Sequence, residues 1–159
     1  MSKLPKIVPG VIKKIPKRML RVPPGYKKPR TKGFEEDVQQ LGENIAEGFK
    51  EKLLYNIETN YYGFALAEST IKKKGHATPL IDSRELVDSI YVEGTVVSVE
   101  DTQRQDSELT NKELAIVHEY GTKDKNIPAR PVWRLTFEDY RSEAKEDIVT
   151  LLTKGKIRK

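Results

Sequence analysis

The chain has 159 residues, 36% hydrophobic and 33% charged, with a net charge of +5 and no cysteine. That length supports one domain built on a single core, and the lack of cysteine excludes disulfides and thiolate metal sites. Two histidines, His76 and His118, are too few for a histidine-rich metal centre, no apolar run approaches the ~18–20 residues of a membrane span, and the first residues lack the apolar centre of a secretion signal.

The expected setting is therefore the cytoplasm, or an assembly built there. Charge divides the chain in two. Residues 1–33 hold 11 of the 29 Lys and Arg, six of the nine prolines, and no Asp or Glu. Residues 34–159 carry 18 basic and 24 acidic side chains, a net of −6. Proline lacks an amide donor and pushes its predecessor toward extended backbone. A long helix is thus excluded from 1–33, and an extended basic arm of up to ~100 Å is predicted at about 3.3 Å per residue. Ile7, Val11, Ile15, Leu20 and Tyr26 are interspersed with its lysines. One reading is a disordered solubilising tail. The other, favoured by those apolar side chains, is an arm anchored in grooves of neighbouring subunits. Lys13, Lys14, Lys17 and Arg18 are then placed to meet DNA phosphate without regard to sequence.

The domain is predicted over 34–153, with a basic tail over 154–159. Glu35, Glu36 and Asp37 suit the positive end of a helix dipole. Phe34, Val38, Leu41, Ile45, Phe49, Leu53 and Ile57 recur at spacings of three and four, which predicts an amphipathic helix over 34–60. Gly42 and Gly48 weaken it or admit another backbone. A second short helix is expected within 64–73. Asp82 or Ser83 can cap a third over 84–90. Residues 91–100 are rich in β-branched side chains and read as one strand, or two around Gly94. Residues 101–111 form a polar loop, and 112–120 permits helix or strand, with helix preferred. Pro131 suits the first turn of a C-terminal helix over 131–152. The expected class is α+β: a long amphipathic helix, a small antiparallel sheet and a C-terminal helix, preceded by the arm.

Little of this supports catalysis. His118-Glu119 lacks the second histidine, one helical turn away, that a zinc-protease helix requires, and His76 lies far off in a basic loop. These two residues are expected to hydrogen-bond and fix the loop that follows. Lys72-Lys73-Lys74-Gly75 reads as a solvated charge run. No enzyme activity, metal or cofactor is predicted. Arg130 differs, because Pro128 and Pro131 stiffen the backbone on both sides. A rigidly presented guanidinium suits a carboxylate, either within the chain, at Glu119 or Glu138, or across a subunit boundary. Trp133 is expected to anchor the core, with an interface role as the lesser reading.

Four blocks in order carry a resemblance. Residues 66–75 (LAESTIKKKG) resemble L-x-x-S-T-I-x-x-K-G. Residues 78–90 (TPLIDSRELVDSI) resemble a Pro-Leu-Ile-Asp-Thr-Gly turn followed by Leu and Ser-Ile. Ala115-Ile116-Val117-His118-Glu119-Tyr120-Gly121-Thr122 and Ile127-Pro128-Ala129-Arg130-Pro131 complete the set. Together they resemble the tailed-phage virion-morphogenesis family, the tail-completion and head–tail joining group related to the Mu virion morphogenesis protein. The likeness covers about residues 34–150 and leaves out the arm. One departure stands out: the family's Thr-Gly is Ser83-Arg84 here. Arginine adopts a positive backbone angle less readily than glycine. Either the chain is helical from Arg84 onward, or Arg84 makes a contact of its own.

The resemblance implies a structural virion protein of the neck. It would form a homo-oligomeric ring, sixfold or twelvefold, between the portal or adaptor and the tail. Arg130, His118, Glu119, Tyr120, Arg84 and Trp133 are the candidate interface residues. The implied partners are copies of itself and the neighbouring neck, adaptor and tail proteins, with non-specific contact to genomic DNA open and no membrane. A tail terminator capping the tail tube is the close alternative. A DNA-binding module is the more distant one, since the domain is net acidic and the arm offers little aromatic surface beyond Tyr26.

Overall fold

The computed structural model describes residues 33–75, 78–81, 84–105, 107–124 and 127–155. The arm residues 1–32, with their anchors and DNA-facing lysines, lie outside these, as do His76, the caps expected at Asp82 and Ser83, and the tail residues 156–159. Five helices and one hairpin make up the rest: α1 (Phe34–Glu58), α2 (Glu68–Lys74), α3 (Glu85–Asp88), β1 (Ile90–Glu93), β2 (Val96–Val99), α4 (Asn111–Tyr120) and α5 (Val132–Lys154). The class is α+β.

Helix α1 starts on Glu35, Glu36 and Asp37, whose carboxylates favour its N-terminal end. Leu41, Ala46, Leu53 and Ile57 are buried, whereas Val38 stays 46% exposed, so full burial of the apolar stripe begins at Leu41. Gly42 and Gly48 admit side chains rather than a neighbouring backbone. A Cβ on Gly42 would come within 2.6 Å of the Thr95 methyl, and one on Gly48 would collide with the Tyr140 hydroxyl.

The β-branched run folds as two strands around Gly94-Thr95, in antiparallel register with Ile90 opposite Val99 and Glu93 opposite Val96. Ile90 and Val99 are buried at the base of the hairpin, while Val96 at its tip is exposed. The region 112–120 is helical. Thr110 accepts from the Glu113 amide through its hydroxyl, and the Glu113 carboxylate accepts from the Thr110 amide. This reciprocal capping box decides for helix where composition alone does not.

The core lies between α1, α3, the hairpin and the start of α5, on Leu53, Ile57, Leu86, Val87, Ile90, Val99 and Val132. Burying each such side chain is worth roughly 1.5–3 kcal/mol. Trp133 packs against this cluster, its ring 6.2 Å from that of Phe49. A polar pin also joins α1 to α5. Asn56 and Thr136 are buried, and the Asn56 amide donates to Thr136 Oγ1 at 2.9 Å and to Tyr62 Oη at 3.2 Å. The Tyr62 hydroxyl donates in turn to Asp139 at 2.7 Å. Burial and that carboxylate push Tyr62 up to about 12. This chain of hydrogen bonds fixes the register of the two long helices.

Candidate functional site

The block from His118 to Pro131 folds as one stiff corner between α4 and α5. Helix α4 ends as the Gly121 amide donates to Val117 O at 2.7 Å. Gly121 then takes φ 70° and ψ 179°, a conformation open essentially to glycine alone. The chain turns back on itself there. Thr122 and Ile127 exchange both backbone hydrogen bonds, at 2.9 and 3.1 Å, and the Arg130 amide donates to His118 O at 2.6 Å. A Cβ on Gly121 would sit 2.6 Å from Ile127 O and 2.8 Å from Ala129 N.

Glu119 closes the corner. Its two carboxylate oxygens accept from the backbone amides of Trp133 and Arg134, each at 3.1 Å. These are free donors of the first turn of α5, and a carboxylate there also meets the helix dipole. Glu119 thus fixes the loop, as the sequence predicts, by an acceptor role far from its own position. Glu119→Ala should destabilise the domain by about 1–2 kcal/mol, with partial recovery in Glu119→Gln. Urea unfolding curves of the two variants check this.

The side chains of His118 and Arg130 do not share in this bracing. The expected intrachain pair of Arg130 with Glu119 or Glu138 does not form, because Glu119 is spent on α5. Instead the Arg130 guanidinium donates once, from Nη2 to Ala65 O at 3.3 Å. Its Nε is buried with no hydrogen-bond partner among the described residues. Arg130 is only 9% exposed, and burial lowers its pKa from the ordinary value. The His118 side chain is in the same position, with Nδ1 buried and without a partner among the described residues. The expectation that it hydrogen-bonds to fix the loop is met by its backbone carbonyl and not by this ring nitrogen. Burial, then the charges of Arg130, Lys74 and Arg104, lower its pKa to about 4. The ring is neutral at pH 7.

Both side chains line a cleft of about 700 Å³. Lys73, Lys74, Arg84 and Arg104 also reach it, and among the described residues no carboxylate does. Its apolar wall includes Leu66, Leu80, Leu114 and Pro128. The lysine run read as a solvated face therefore contributes two of its members to a shared basic hollow. Arg104, from the polar loop over 101–111, is buried, donates to Asn111 Oδ1 at 3.2 Å and approaches Glu85 at 3.9 Å. Sequence reading misses it because its surroundings come from α3 and α4.

Arg84 settles the departure noted at Ser83-Arg84. It holds φ 65°, and α3 begins only at Glu85, so the chain is not helical from Arg84. A left-handed backbone at a residue with a Cβ costs about 1–2 kcal/mol. Arg84 also makes a contact of its own, donating to Glu58 at 2.9 Å and lying 3.7 Å from Asp88. Tyr120, in contrast, points away from the braced corner and is 78% exposed. With Ile116 one turn earlier, also exposed, it gives α4 an uncovered apolar edge. Trp133 belongs to the core.

A second hollow of about 430 Å³ runs along α5 past Ser142, Glu146 and Val149 and draws on that helix alone. Among the described residues no group of three or more His, Asp and Glu is placed to hold a metal ion, and no helix is long and apolar enough to cross a membrane. No protein-family model, characterised protein or solved structure matches the chain.

Proposed function

We propose that this chain is a structural, non-enzymatic protein of a tailed-phage neck, a ring component that joins the DNA-filled head to the tail and resides in the virion. The observation that carries this reading is the division of labour within the His118–Pro131 block. Gly121, Glu119 and the Thr122–Ile127 bridge make a rigid corner. Arg130 and His118 are held by that corner with buried nitrogens that the described residues leave without a partner. Leaving buried polar groups unpaired is costly to an isolated chain, and the cost is recovered when an assembly supplies the acceptor.

Three further features fit a ring. Ile116 and Tyr120 form an uncovered apolar edge suited to a neighbour. The described sheet has only two strands, so each has an edge that an extended arm can pair. Residues 1–33 would be long enough, if extended, to stitch subunits, and their lysines suit a DNA channel. The neighbours on this reading are copies of the chain, sixfold or twelvefold, together with adaptor, portal and tail proteins. Particle assembly in the absence of this chain tests it: full heads and separate tails should accumulate. The length of those tails separates tail completion from the tail-terminator role.

A further inference from the structure

We propose that the cleft between α2, α4 and the loop before α5 binds an extended acidic peptide segment of a partner protein, with one carboxylate seated against Arg130. This stands on the cleft itself and does not require the neck reading. Arg130 lines the hollow while more than nine-tenths buried, and its guanidinium makes a single hydrogen bond among the described residues. Lys73 lines the same space, as does Arg84, whose charge is shared with Glu58 and Asp88. Arg130 and Lys73 therefore favour an anionic ligand, and a planar carboxylate matches the fork of a guanidinium.

The other wall narrows the class. Leu66, Leu80 and Leu114 are apolar, so the occupant carries apolar side chains beside its charge. Among the described residues no Phe, Tyr or Trp lines the cleft, which disfavours the base stacking on which single-stranded nucleic acid binding depends. The chain's own arm, with 11 basic and no acidic residues, is repelled by a basic cleft. Glu138, Glu143 and Glu146 of a second copy ride on the exposed face of α5. A helix about 10–12 Å across does not enter a recess to reach a guanidinium this deep. An extended segment does.

The test uses the full-length chain and a labelled peptide of alternating Leu and Asp or Glu, followed by fluorescence anisotropy. An otherwise identical lysine peptide, oligothymidine and inorganic phosphate serve as competitors. Arg130→Met keeps the stem, the arm and the rest of the cleft, so arm-mediated attraction is the same in both proteins. Losing one side of a buried charge pair should weaken peptide binding by at least about tenfold. The melting temperature of Arg130→Met should be unchanged or higher, since a guanidinium without a carboxylate is removed from the interior. Arg130→Lys should restore binding only in part. Equal peptide affinity in wild type and Arg130→Met overturns the proposal. So does preferential displacement by oligothymidine, which would make the cleft a nucleic-acid site, or self-association abolished by Arg130→Met, which would assign it to a second copy. A collapse of the Arg130→Met melting temperature with peptide binding intact would make Arg130 a structural residue and overturn it equally.

Discussion

Replacing Gly121 with alanine is expected to destabilise the domain by roughly 3–5 kcal/mol, the largest effect of any single substitution considered. Two costs combine. The backbone at φ 70° and ψ 179° lies where residues with a Cβ are strained, by about 1–3 kcal/mol. The new methyl would then press on Ile127 O and Ala129 N at 2.6 and 2.8 Å. Those atoms belong to backbone held by the Thr122–Ile127 bridge and the Arg130–His118 hydrogen bond, so they cannot swing aside as a side chain would. Against a typical domain stability of about 5–15 kcal/mol, this substitution removes a large share. Thermal unfolding followed by circular dichroism should show a midpoint lower by more than about 10 °C. A midpoint within a few degrees of the parent would mean that the corner is soft, and that Arg130 is not rigidly aimed.

Acidification is expected to cost the fold about 2–3 kcal/mol through His118 alone. In the unfolded chain this imidazole takes a proton near its ordinary value of 6.5, whereas in the fold burial and the charges of Arg130, Lys74 and Arg104 hold it down to about 4. Between these two values the unfolded chain binds more protons, so stability rises with pH. The contribution is fully present above pH 6.5 and is lost as pH falls through about 4. The comparison is made against His118→Asn, so that contributions from other groups cancel. Urea unfolding at pH 7 and at pH 4.5 should show the variant losing about 2 kcal/mol less than the parent. Identical losses would mean that His118 is not held neutral by its surroundings.

These effects bear on what can be read from the chain before its fold is known. Helix α1 is plain in the sequence because apolar residues recur every three or four positions along it, and Pro131 marks the start of α5. The hairpin is plain in the β-branched run around Gly94. Period alone overstates α1, though. Val38 belongs to the stripe by spacing but stays exposed. Helix α4 is ambiguous by composition and is decided by Thr110 and Glu113, a capping pair that spacing alone can reveal. Arg84 shows the limit of propensity. Its positive φ is disfavoured locally, yet the turn is kept, and the side chain gains Glu58, distant in sequence, as a partner.

The candidate site is legible in part. Residues 118–131 stand out as a block because glycine, proline and charge are concentrated there. Their separate roles do not stand out, since Glu119 acts on amides of α5 and Arg130 faces Ala65. The cleft itself is invisible in the sequence. It gathers Lys73 from α2, Arg104 from a polar loop, His118 from α4 and Arg130 from the corner, residues that no local pattern connects.

The neck role is tested most directly by electron microscopy of the particles formed when this chain is withheld from assembly. DNA-filled heads lying beside separate tails are the expected result, with tails of normal length for a completion protein and of irregular length for a terminator. Intact tailed particles would contradict the role and turn attention to the DNA-binding alternative carried by the basic arm.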